Sequence, residues 1–152
     1  MEKPFPTRRQ LPHEVPAWVP DGAVYAVTIN CKQRGLNSLC HEELATLIRS
    51  SAEFRMSRGE WWIHLLLLMP DHLHMLVSFE IGKRMTLTVS QWKAFVAKEG
   101  HIEWQRNFFD HRLRGNESFR EKASYIRANP VVKGLVEKAE EWPFVWTWPV
   151  LG

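Results

Sequence analysis

The stretch Met69-Pro70-Asp71-His72-Leu73-His74-Met75-Leu76-Val77 decides the fold. Pro70-Asp71 reads as a tight turn, and the residues after it alternate as a strand does. Successive strand side chains point to opposite faces, so His72 and His74 share one face, about 7 Å apart at a rise of roughly 3.3 Å per residue. Leu73, Met75, Val77 and Phe79 fill the other face. A core strand that presents two imidazoles side by side can converge them on one metal ion. The ordinary alternative is two histidines satisfied by neighbouring carbonyls or water, and the strand by itself does not separate the two.

Outward from this strand the chain alternates strand and helix. Residues 23–31 are rich in β-branched side chains and read as a first strand. From His41 to about Ser57, Leu44, Leu47, Ile48 and Ala52 recur at helical spacing, and Gly59 closes that helix. Trp61 to Leu68 is apolar on both faces, the mark of a central strand. The His72–Phe79 strand is broken by Gly82. Met85, Val89, Trp92 and Val96 form the stripe of a second helix ended by Gly100. Arg106 to Leu113 reads as a fourth strand. Asn116 or Ser118 caps a third helix running to Ala128, which Asn129-Pro130 stops. The order β-α-β-β-α-β with one extra helix predicts an α+β, ferredoxin-like antiparallel sheet with two helices on one face. The added helix is C-terminal and carries a tyrosine. Trp142, Trp146 and Trp148 near the end read as a lid on the core.

Residues 1–20 hold five prolines and read as an extended basic arm, with Arg8 and Arg9 able to touch phosphate; residues 21–152 read as one domain. The 152-residue chain is 45% hydrophobic and 24% charged, which excludes a disordered chain. The segment Arg106–Arg127 carries +3, as much as the whole chain. Its cations (Arg106, Arg112, Arg114, Arg120, Lys122, Arg127) suit a polyanion, although a solvated helix face accounts for some of them. Cys31 and Cys40 fit no zinc spacing and form no disulfide framework, so a reducing cytoplasm is the simplest home. No apolar run approaches membrane-spanning length; the longest, Ile63 to Pro70, is interrupted by His64.

Tyr125 lies in the third helix on the flank of an apolar stripe of Phe119, Ala123 and Ile126, with Asn129 one turn above it and Lys122 and Arg127 near. In isolation a Tyr-x-x-x-Asn pair is a boundary phenol and a helix end. Beside a His-x-His strand it makes chemical sense. A divalent cation held by two imidazoles and an amide oxygen polarises a phosphodiester, and a tyrosine can attack phosphorus to form a covalent phosphotyrosyl intermediate. That linkage is itself a phosphodiester, so a released 3′-hydroxyl can reverse it.

Residues 70–74, Pro-Asp-His-Leu-His, resemble the histidine–hydrophobic–histidine motif of the single-tyrosine HUH transposases. Residues 125–136, Tyr-Ile-Arg-Ala-Asn-Pro-Val-Val-Lys-Gly-Leu-Val, resemble their tyrosine helix and the segment after it. The branch of REP-associated tyrosine transposases is the nearest in pattern. Residues 8–13 followed by Val24-Tyr25-Ala26-Val27-Thr28 are similar to its opening, and residues 104–114 to its segment before the tyrosine helix. The pattern ends here in Trp146-Thr147-Trp148, where that branch has a more polar close.

The resemblance implies a ferredoxin-like fold and a DNA nicking and rejoining enzyme. Tyr125 would be the nucleophile, leaving a 5′-phosphotyrosine and a free 3′-hydroxyl. His72 and His74 would hold Mg²⁺ or Mn²⁺, with Asn129 at the third ligand position; ligand preference alone favours Mn²⁺ or Zn²⁺ over Mg²⁺. Substrates would be single-stranded DNA hairpins of repeated extragenic palindromes with a short flanking guide. A monomer is expected over a dimer that swaps tyrosine helices, and the compartment is the bacterial cytoplasm. His111, beside Asp110 on the fourth strand, is an accessory candidate; His64 is expected in the core. Two other readings remain open. One is a catalytically silent, domesticated protein that binds single-stranded nucleic acid, which needs outward aromatics on the open sheet face, and the predicted strands offer few. The other is a metal-dependent hydrolase using water in place of Tyr125.

Overall fold

The computed structural model describes residues 15–20, 22–114 and 119–148. Its elements run β1 (Val24–Asn30), α1 (Glu42–Ser57), β2 (Trp62–Met69), β3 (His72–Ser78), α2 (Met85–Gly100), β4 (Phe109–Arg112), α3 (Phe119–Arg127), α4 (Asn129–Val132), a 3₁₀ turn (Ala139–Glu141) and β5 (Val145–Thr147). The five strands form one antiparallel sheet in the order β4-β1-β3-β2-β5. This is the expected α+β ferredoxin-like arrangement, widened by one strand.

The turn at Pro70-Asp71 joins Met69 directly to its partner His72. Register then follows from the alternation, because a slip of one residue would turn every apolar side chain to the wrong face. Leu73, Met75 and Val77 of β3, with Val27 and Ile29 of β1, face α1 and α2 and join the main core around Trp61 and Trp92. His72, His74, Leu76 and Ser78 face the other way. There Leu65, Leu67, Met69 and Leu76 form a smaller cluster closed by Ile126 of α3. Between Ile63 and Leu65 the register shifts by one residue. Strict alternation would aim His64 at α1 and α2; the bulge re-aims it beneath α3, where its ring meets Phe119 at 5.3 Å.

Several boundaries differ from the sequence reading. β4 is four residues, not eight, because residues 104–106 are held by other bonds: Cys31 bridges Trp104, the Gln105 N–H donates to Asn30, and the Lys93 ammonium donates to the carbonyls of Gln105 and Arg106. Gly100 is the last residue of α2 and does not cap it. It permits close approach of α1, since a Cβ there would sit 2.6 Å from Leu44 Cδ1. The left-handed cap falls on His101 (φ 56°). The third helix ends at Arg127, one residue before the expected Ala128, but Asn129-Pro130 does not end helical structure. After a break at Ala128 the chain starts α4 with Pro130 in its first turn, where a missing N–H costs nothing. The proposed caps Asn116 and Ser118 lie outside the described residues.

The tail does lie over the core, and it does so as a strand. β5 pairs with β2, which makes β2 interior. The Trp142 indole donates to the Leu68 carbonyl at 2.9 Å and the Trp148 indole to Glu53 at 3.0 Å, with Trp148 buried in the main core.

Candidate functional site

β3 brings His72 and His74 together on the α3 side, their ring centroids 4.9 Å apart and nearly perpendicular. Each is fixed through Nδ1. His72 Nδ1–H donates to Asp71 Oδ1 at 2.8 Å, and His74 Nδ1 shares a hydrogen bond with Thr28 Oγ1 at 3.0 Å across the β1–β3 ladder. Asp71 is braced in turn by the Gly35 N–H at 2.8 Å and by Arg34 at 3.4 Å, and the Arg34 guanidinium also donates to Asn30. Partial burial pushes the Asp71 carboxyl up; the Gly35 N–H, His72 and Arg34 more than reverse this and hold it below the ordinary carboxylate range.

With both Nδ1 atoms engaged, Nε2 is the nitrogen each ring has to offer. His74 Nε2 is buried and has no hydrogen-bond partner. An orphaned buried nitrogen is costly unless something fills the position. Burial first, then the charges of His72 and Lys122, push the His74 pKa down to about 4, so the ring is neutral near pH 7 with its lone pair available. A metal at bonding distance of Nε2 lies about 3.2 Å from the ring centroid, so two rings sharing one ion stand less than about 6.4 Å apart. The observed pair meets that condition. Two imidazoles backed by a hydroxyl and a carboxylate are the donor set and outer support that a transition-metal or Mn²⁺ site uses. Among the described residues no group of three His, Cys, Asp or Glu side chains is placed to hold a metal, so a third protein ligand would have to be of another kind.

The tyrosine helix lies over the same face. Ile126 is buried against the sheet, which leaves Tyr125 on the flank with 69% of its surface exposed. Lys122 links the two parts: its ammonium stands 5.1 Å from the Tyr125 ring centroid, and its charge is felt at His74. Asn129 is turned back on its own helix, its amide N–H donating to the carbonyls of Ile126 at 3.0 Å and Tyr125 at 3.4 Å. Its side-chain oxygen is the atom that a cation would take.

The remaining expected residues are spread more widely. Arg106, Arg112, Arg114 and Arg127 are exposed, and Arg8 and Arg9 lie outside the described residues. Arg112 pairs with Tyr25, which packs on the core of the other face, so it is directed away from the histidines. His111 pairs with Ala26, and Phe109 pairs with Thr28, the residue that holds His74. Directly opposed residues share a face, so both look toward the α3 side. His64 is buried, as expected, and bonds the Ser78 hydroxyl at 2.8 Å. A cleft of about 250 Å³ borders His72 and is lined by Arg34, Pro70, Asp71, Lys133 and Leu135. A larger one, about 670 Å³, lies between the start of α1 and the end of α2, but Glu43, Glu99 and Glu103 line it. That cleft shares no residue with the histidine site and its charge is wrong for a phosphate chain, so the smaller one is the functional candidate.

Over 94 residues the chain is 26% identical to a Haemophilus influenzae protein described as a "Putative REP-associated tyrosine transposase", covering 51% of this chain and 53% of that one. The solved REP-associated tyrosine transposase bound to a REP hairpin superposes with a TM-score of 0.71 at 23% identity, over 82% of this chain and 76% of that one. The chain is similar to REP-associated tyrosine transposases. The motif resemblance is thereby borne out in sequence and in fold. A transposase structure from Deinococcus radiodurans, itself described as "putative", matches at TM-score 0.52 and 14% identity, over 74% of this chain and 89% of that one. No protein-family model matches. The match spans about half the length of the curated relative.

Beside these transposases, sequence reasoning missed Asp71, Thr28, Arg34, Lys133 and Phe109. Asp71, Thr28, Lys133 and Phe109 were visible only as parts of the matched segments, and Arg34 not at all. The Phe108-Phe109 pair did carry a signal: on a strand, one of two adjacent aromatics must face out.

Proposed function

We propose that this chain cleaves and rejoins single-stranded DNA at hairpin-bearing sequences, with Tyr125 as the nucleophile and a divalent cation held by His72 and His74. The observation that carries the reading is the buried, unpartnered Nε2 of His74 beside His72, both rings braced through Nδ1, under the helix that carries Tyr125. A bound Mn²⁺ or Mg²⁺ would polarise the scissile phosphodiester and offset charge on its oxygens. Tyr125 Oη would attack phosphorus, forming the O–P bond of a 5′-phosphotyrosine. Tyr125 gives up its phenol proton as the P–O3′ bond breaks, and the 3′-oxygen takes up a proton and leaves as a free hydroxyl. Attack by a 3′-hydroxyl on the phosphotyrosine reverses the step and joins strands. Lys122, over the phenol ring, would hold phosphate charge close to the tyrosine, and Asn129 would supply an amide oxygen after turning from its helix carbonyls. Arg34 and Lys133 would hold the strand beside His72.

REP-hairpin binding in the structural relative, and the basic segment Arg106–Arg127, support single-stranded hairpin DNA as the partner. No helix among the described residues is long and apolar enough to cross a membrane. The reading places a monomer in the bacterial cytoplasm, where its substrate is.

The test is trapping of a covalent protein–DNA adduct on hairpin-bearing single strands. Tyr125→Phe should abolish the adduct and leave hairpin affinity within about twofold, because the ring is mostly exposed and its hydroxyl serves only the chemistry. An adduct that persists in this variant overturns the assignment. One observation favours the silent binding protein as a second reading: the Asn129 amide is committed to its own helix. That reading predicts hairpin binding with no adduct under any divalent metal.

A further inference from the structure

Phe109 keeps 63% of its surface exposed although it lies on a strand of the central sheet. Its neighbour Phe108 already packs on the core, with the Lys93 ammonium over its ring, so Phe109 adds little to packing. β4 is an edge strand, but it is short and carries Asp110 and Arg112, the features by which edges resist pairing with another chain. The register places Phe109, Thr28 and His74 in one row across the α3 face. Two strand spacings, about 10 Å, separate the outer members of that row. An aromatic ring standing open beside a phosphate-processing pair, on a face that also carries Lys122, has the form of a nucleobase platform.

We propose that Phe109 is the stacking platform for an unpaired base of the strand that enters the His72–His74 site. This rests on the reading of single-stranded DNA as substrate. The ring takes the flat face of the base, and stacking of this kind is tolerant of sequence. Its place in the Thr28–His74 row sets that base next to the phosphate at the two imidazoles. The exposed Phe109 therefore selects DNA with single-stranded sequence beside the hairpin over the bare hairpin.

The probes are a synthetic DNA hairpin with no overhang and the same hairpin with a thymidine flank containing 2-aminopurine, placed on each side in turn. Phe109→Ala should weaken binding of one flanked probe by about five- to a hundredfold, the range of one lost base–aromatic stack. Affinity for the bare hairpin should be unchanged. Phe109→Trp should restore the flanked affinity and the quenching of 2-aminopurine. Equal affinities of the wild type and Phe109→Ala for every probe overturn the proposal, as does an equal loss on flanked and bare hairpins. A change from dimer to monomer in sedimentation of Phe109→Ala also overturns it, since a second copy of the chain then covers the face. Phe109-dependent flank binding by a wild-type protein that forms no adduct refutes strand transfer and leaves the platform standing. Flank binding that Phe109→Ala leaves unchanged, in a protein whose wild type forms the adduct, refutes the platform alone.

Discussion

One face of the sheet is closed by two helices of 16 residues; the other is closed by α3, of nine. Under α1 and α2 the side chains are apolar and few polar groups enter. Some are paired: the Trp92 indole donates to Ser51 at 2.9 Å and the Trp61 indole to the Ala52 carbonyl at 3.1 Å, while Arg49 Nε of α1 and the Trp62 indole of the main core have no hydrogen-bond partner. Under α3 the sheet presents His64, His72, His74, Ser78 and Thr28 among the leucines. Two of the buried ring nitrogens there, His64 Nδ1 and His74 Nε2, have no partner. The first face holds the fold together. The second gives up part of that cohesion by burying ring nitrogens without partners, the pattern expected where function competes with stability.

If the faces divide labour in this way, the largest loss of stability should come from the helical side. Trp92→Ala removes an edge-to-face contact with Trp61 at 5.2 Å, empties a fully buried site and takes the indole donor from the Ser51 hydroxyl, which keeps its bond to the Ile48 carbonyl. Such truncations cost about 3–5 kcal/mol, seen as a lower urea midpoint. A loss below about 1 kcal/mol would mean that this core relaxes around the cavity and does not dominate stability.

Legibility in the sequence follows the same division. The helical side is written in period: the alternation of β3 and the stripe Met85-Val89-Trp92-Val96 gave β3 its faces and α2 its limits, and the element order gave the sheet. The functional side was legible only where a spacing rule applied, as for His72 and His74. β5 was missed because Val145–Thr147 is three residues long and is defined by its pairing with β2, not by any pattern of its own. The role of Thr28 was missed for a like reason: it depends on β1 lying beside β3, a contact between residues 46 apart. The end of α3 beside Ala128 was legible, but α4 after it was not, because a proline disfavours helix before it and permits one after it.

The α3 face should also be the acid-sensitive one. Burial pushes the His64 pKa from 6.5 down to about 4. Above pH 6.5 the ring is neutral in folded and unfolded chains alike, and its contribution is fully present. As pH falls from 6.5 to 4 the unfolded chain takes up a proton that the folded chain refuses, so stability is lost, by about 3 kcal/mol at pH 4. His64→Gln keeps a donor for Ser78 and does not titrate. Urea titrations at pH 7 and pH 4 should show the difference between the two pH values shrink by about that amount. His74, shifted in the same direction, will keep a further part of the slope. An unchanged pH difference would show that the bulge leaves His64 open to solvent.

The smallest effect tests whether the polar face is organised for a ligand or only tolerated. Asp71→Asn keeps the size of the side chain and an oxygen that can accept from His72 Nδ1–H. It removes the charge that holds that hydrogen bond, the Gly35 N–H and Arg34 at one centre. Loss of such a partner behind a metal-binding histidine typically weakens metal affinity about 10- to 100-fold. Mn²⁺ titration followed by calorimetry should show this loss. The Trp92 core is remote from the change, so the urea midpoint without metal should move little. If Mn²⁺ affinity is untouched, Asp71 serves the 34–35 loop and not His72, and the carboxylate behind the imidazole is structural. If affinity falls and the urea midpoint falls with it by several kcal/mol, the turn at Pro70-Asp71 is part of the folding core, and the two faces are less separate than their packing implies.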